Sequence, residues 1–123
     1  MQAKYQFSFN PETGILLVRL RGYLVQEDIE KYLALRSEQR ENARQRAGKL
    51  RMLVDARAAP VQSADTVGKV QSDWEEAIRS PLDRIAIVPS SALHALQARR
   101  TIQSEQVRIF NSLEEAEGWL SLP

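Results

Sequence analysis

The sequence predicts an α/β domain on a mostly parallel five-stranded sheet, its first strand added antiparallel through a hairpin. Three observations carry that prediction. Short apolar runs alternate with longer stretches of helical periodicity, the pattern left by right-handed crossovers between parallel strands. Met52-Leu53-Val54 and Ile85-Ala86-Ile87-Val88 are continuous apolar runs, as in strands covered on both faces. Only Asn10 to Gly14 separates the first two strands, too short a link for a parallel crossover.

The elements follow in order. Tyr5, Phe7 and Phe9 alternate with Gln6 and Ser8, the mark of a half-buried strand. Asn10-Pro11-Glu12-Thr13-Gly14 is a turn, and Ile15 to Leu20 returns as the second strand. Gly22 ends it. Glu27 and Asp28 stand where acids favour a helix N-terminus. Ile29, Tyr32, Leu33 and Leu35 open a helix whose later turns, to Ala43, are almost wholly polar; Gly48 stops it. Leu50 to Asp55 is a central strand, and Ala56 to Gln62, with Pro60, a loop.

Ser63 is placed to cap a helix carrying Val67, Val70, Trp74, Ala77 and Ile78 at helical spacing. Gly68 within it implies close packing, since an interior glycine weakens a helix. Ser80-Pro81 ends that helix, and Ile85 to Val88 is a buried strand. Ser90 or Ser91 caps a helix with Leu93, Leu96 and Ile102 expected inward. Val107 to Phe110 is the last strand. Ser112 and Glu115 have capping-box spacing ahead of a final helix with Leu113, Ala116, Trp119 and Leu120 on its inner stripe.

Composition bounds the function. A chain of 123 residues is read as one domain, 1–123. With 43% hydrophobic and 27% charged residues it is expected to be globular rather than disordered. The absence of cysteine excludes a disulfide scaffold, an iron–sulfur site and a cysteine nucleophile, and fits a reducing compartment. Met1 to Phe9 has no signal-peptide core and no apolar run is long enough to span a membrane, so a cytoplasmic location is expected. Seventeen basic against sixteen acidic residues leave +1, without the basic excess of a nucleic-acid binder.

Several segments also carry a resemblance. Gly14 to Gly22 reads GILLVRLRG and precedes an acidic helix start. Leu53-Val54-Asp55 and Asp83-Arg84-Ile85-Ala86-Ile87-Val88 follow. Gln97-Ala98-Arg99-Arg100, Arg108-Ile109-Phe110 and Leu113-Glu114-Glu115-Ala116-x-x-Trp119-Leu120 complete the series. In this order and spacing, through nearly the whole chain, they resemble the SpoIIAA-like family of small bacterial STAS-type domains, which share a fold with CRAL-TRIO lipid-transfer domains. The resemblance implies a superhelix of four strand–helix units. It also implies a non-enzymatic interaction or regulatory module with a protein partner; the CRAL-TRIO kinship implies, as the alternative, a carrier or sensor of a small hydrophobic or lipid-like ligand.

STAS anti-sigma antagonists carry an Asp-Ser-Ser-Gly loop with a phosphoacceptor serine at the start of the helix after a central strand. The matching stretch here is Gln62 to Gly68. It places Ala64 or Asp65 near the phosphoacceptor, with Ser63 and Thr66 on either side.

The candidate site is the edge formed by Asp55, Arg57, Ser63, Asp65 and Thr66. Ser63 and Asp65 lie at a helix N-terminus beyond a central strand, where open α/β sheets bind ligands; plain capping by Ser63 is the simpler role. Asp55, at the strand's end, anchors either a ligand or, more simply, the Arg57 loop. Arg99 and Arg100 are candidate anion contacts. Arg36, Arg40 and Arg44 share one helix face by their i, i+4 spacing, read as a solvated face. His94 is the sole histidine and has no partner at metal spacing, so no metal and no cofactor are expected. An enzyme would require Asp55, Ser63 or His94 to converge within hydrogen-bond reach. An exposed apolar patch on the hairpin edge or last helix would support a homodimer.

Overall fold

The computed structural model describes residues 4–102 and 104–123. Its elements are β1 (Tyr5–Asn10), β2 (Ile15–Arg21), α1 (Gln26–Ala47), β3 (Arg51–Ala58), α2 (Ala64–Ala77), β4 (Arg84–Val88), α3 (Ala92–Thr101), β5 (Val107–Ile109) and α4 (Leu113–Leu120). The sheet order is β1-β2-β3-β4-β5, with β1 antiparallel to β2 and the other pairs parallel. The expected element order and mixed sheet are both present.

The topology sets the layers. Each parallel connection steps one strand in the same direction across the sheet, so right-handed crossovers place α1, α2 and α3 on one face. The helix after β5 makes no crossover and covers the opposite face. The side chains agree. Leu16, Val18, Met52, Val54, Ile85 and Ile87 point into the larger core with Ile29, Tyr32 and Ala77 of α1 and α2. Ile15, Leu53, Ala86 and Val88 alternate to the other side and pack on Ala116 and Leu120 of α4.

Local chemistry fixes the helix ends. Gly48 closes α1 in the left-handed conformation, with its N–H on the Arg44 carbonyl. Val25 precedes α1 and has no side-chain acceptor; Asp28 reaches back to its N–H instead and also pairs with Lys4. Ser63, Ser91 and Ser112 each accept the N–H three residues on, capping α2, α3 and α4.

Three expectations need correction. The arginine row of α1 is buried: Arg36 is 1% exposed and Arg40 4%. Asp73 of α2 pairs with Arg36 Nε at 3.0 Å and Arg40 Nη1 at 2.6 Å, while Arg44 pairs with Asp83 at 2.7 Å. The polar face turns inward because its carboxylate partners lie on the next helix and its exit loop. Leu93 and Leu96 are exposed, 64% and 45%, because α3 turns Ala98, with His94 and Gln97 beside it, inward. Gly68 is exposed with open space around it, so no close approach requires it.

Candidate functional site

β3 carries Asp55 and Arg57 on the α4 side of the sheet, the side of Leu53. Arg57 donates through Nε to Asp55 Oδ1 at 2.9 Å and through Nη2 to Oδ2 at 3.1 Å, and its backbone N–H adds a third bond at 3.2 Å. Arg19 stands opposite Asp55 in the β2–β3 register, with Nε 4.0 Å from Oδ2. Burial raises the Asp55 pKa, but the Arg57 bonds and the Arg19 charge outweigh it, so the carboxyl lies below its ordinary value. Asp55 therefore stays an anion that orders two arginines beside a shallow groove of about 440 Å³. Arg19 was absent from the sequence reading; strand alternation with the parallel register was the signal that could have found it.

Ser63, Asp65 and Thr66 lie elsewhere, in the helical layer. Ser63 Oγ accepts the Thr66 N–H at 3.2 Å and donates to Thr66 Oγ1 at 3.0 Å. Thr66 is buried, Asp65 exposed and Ser63 half-buried. The three line a groove of about 670 Å³ between the N-terminal ends of α1 and α2, with Tyr23, Val25, Gln26 and Lys69. Tyr23 and Val25 are 47% and 50% exposed, an apolar rim on that groove. The five residues expected at one edge thus divide between two grooves, Asp55 and Arg57 in one and Ser63, Asp65 and Thr66 in the other.

Arg99 and Arg100 are exposed on the last turn of α3, where positive charge suits the helix dipole, and neither has an ion-pair partner among the described residues. His94 Nδ1 faces the backbone N–H of Ser90 at 3.1 Å and Ser90 Oγ at 3.0 Å. Since a backbone N–H can only donate, Nδ1 is the acceptor and the imidazole proton sits on Nε2. Desolvation lowers the His94 pKa, which favours this neutral form. The Ser90–His94 contact went unread, although a serine four residues before a histidine at a helix start was its signal. Among the described residues no hydrogen bond joins Asp55, Ser63 and His94, and no group of three or more acidic, histidine or cysteine side chains could hold a metal ion.

A third feature lies between α1, α2, α3 and the sheet. It is a small apolar cavity of about 70 Å³ whose lining includes Leu24, Val70, Trp74, Ile87 and His94, with Arg36 in its wall. None of the described helices is long and apolar enough to cross a membrane.

A family model described as SpoIIAA-like matches residues 15–121. No curated protein matches the sequence. Among solved structures, the chain is similar to the anti-sigma factor antagonist SpoIIAA in its unphosphorylated form, with a TM-score of 0.64 at 16% identity over 94% of this chain and 96% of that one. At that identity the likeness is one of fold.

Proposed function

The chain belongs to the SpoIIAA-like family, and from that premise we propose that it is a non-enzymatic regulatory module of the cytoplasm that works by docking a protein partner. The observation that carries this reading is the groove between the N-termini of α1 and α2. It brings exposed Tyr23 and Val25 beside Ser63 and Asp65. Exposed aromatic and aliphatic side chains next to polar groups are the composition of a docking surface. The solved relative is named for its unphosphorylated form, and control by phosphate at the equivalent helix start is the regulation that fits here. Ser63 is the hydroxyl suited to it, because Thr66 is buried. A phosphate on Ser63 would gain from the α2 dipole and crowd the negative charge of Asp65.

The test is affinity capture from native lysate followed by cross-linking through Lys69, which lines the groove. Wild-type protein is expected to hold a partner cross-linked at Lys69, and Val25→Asp and Ser63→Glu to release it. Capture of nothing, or of a partner that neither substitution releases, would overturn the reading.

The alternative, a ligand carrier or sensor, has the apolar cavity in its favour. A volume of about 70 Å³ suits a molecule of a few heavy atoms rather than an acyl chain.

A further inference from the structure

Three features of the cavity wall point the same way. Arg36 and Trp74 both line the cavity, and Arg36 Nη2 and Trp74 Nε1 are buried without a hydrogen-bond partner among the described residues. The rest of the Arg36 head is held in place. Nη1 donates to the Tyr32 hydroxyl at 2.9 Å, Nε pairs with Asp73, and the guanidinium carbon lies 5.6 Å and 5.8 Å from the Tyr32 and Trp74 ring centroids. The orphaned N–H groups therefore belong to a fixed wall and not to a wandering side chain.

The wall is also electropositive. Asp73 Oδ2 serves both Arg36 and Arg40, so two buried guanidinium groups share one carboxylate. An excess cation away from water favours an anionic partner over a neutral one. His94, with Nδ1 occupied by Ser90, has Nε2–H left to offer, again a donor. The remaining wall is mostly hydrocarbon, including Leu24, Val70 and Ile87, with Tyr32, Gln62, Thr66 and Gln97 as its other polar side chains. The polar groups Arg36, Trp74 and His94 bring are donors, one is charged, and the space beside them is apolar and small.

We propose that this cavity binds a small apolar monocarboxylate, with its carbon body against Val70 and Ile87 and its carboxylate at the wall of Arg36, Trp74 and His94. The inference rests on the ligand reading above and is independent of the docking groove.

The two tryptophans make the test direct, since Trp74 lines the cavity and Trp119 packs against Phe110 on the other side of the sheet. The full chain, labelled with nitrogen-15, is titrated with propionate and separately with 1-propanol, which has the same carbon skeleton without the charge. Trp74→Phe, which keeps the ring and removes the N–H, assigns the indole resonances. Saturable movement of the Trp74 indole N–H with propionate is expected, while that of Trp119 stays still. The alcohol should bind at least about tenfold more weakly, the loss of one charge-assisted hydrogen bond. Equal binding of acid and alcohol would leave the ligand reading standing and overturn the carboxylate. No movement with either would overturn both. Unchanged propionate affinity in Trp74→Phe, read from the Ala98 amide, would overturn the role given to the indole.

Discussion

At the scale of single residues, Gly68 presents a test of its own. It lies within α2, exposed, and a Cβ built on it meets nothing within 4 Å. Gly68→Ala should therefore stabilise the protein by about 0.5–1 kcal/mol, through lost freedom in the unfolded chain and better helix propensity. A urea midpoint at or below that of wild type would show that the glycine has a role the free space does not reveal. Ser63→Ala should act in the other direction, costing about 1 kcal/mol as the Thr66 N–H loses its cap. The two residues differ in how well they could be read. A cap is a local device, a short side chain three residues before the N–H it serves, so Ser63 was legible in the sequence. A helical glycine is compatible with either close packing or empty space, and only the surroundings decide.

Between elements, the α1–α2 contact reverses the reading of the arginine row. Spacing correctly put Arg36, Arg40 and Arg44 on one face. What spacing could not supply was the partner, because Asp73 and Asp83 lie more than thirty residues along the chain. The same limit divided the candidate site: the sequence placed Asp55 and Ser63 near one strand end, but strand alternation turns Asp55 toward α4 while the α2 crossover carries Ser63 to the other layer. Asp73→Ala removes the one carboxylate that Arg36 and Arg40 share, and should cost about 3 kcal/mol by leaving buried guanidinium groups uncompensated. Glu41 is the control, since its own side chain and that of its partner Arg79 are exposed and its contact with Arg44 is a longer one at 3.5 Å. Glu41→Gln should cost less than about 0.5 kcal/mol. Equal losses for the two in urea unfolding would mean that the α1–α2 network adds nothing beyond a surface ion pair.

For the whole molecule, the element order and the mostly parallel sheet were legible because strands alternate with helices after the opening hairpin. What ties the layers together was not, and much of it converges on Asp83. This carboxylate accepts the Leu50 N–H at the entry to β3, the Arg44 guanidinium near the end of α1, and the Arg79 and Ser80 N–H groups after α2. Burial alone would raise its pKa; the bonds from Leu50, Arg44 and Arg79 outweigh burial and hold it below the ordinary 3.8. Asp55 is lowered in the same way by Arg57. A carboxyl whose folded pKa lies below its unfolded value gives its full stabilisation above the unfolded value, and loses it as pH falls through the folded one. The contribution of these two carboxylates should thus be level from neutral pH down to the unfolded carboxylate range and then fall steeply as both are protonated, on top of the shallower loss that His94, its pKa lowered by burial, brings as pH falls below its unfolded value. Asp83→Asn keeps the shape but loses the charge, and should cost about 2–3 kcal/mol at pH 7. Its deficit should narrow in acid, because wild-type Asp83 is then protonated as well. Urea unfolding of both proteins across that range would decide the matter. A deficit that stays constant down to the acid limit would mean that Asp83 stabilises through its shape and neutral hydrogen bonds, and that its charge does not hold the three segments together.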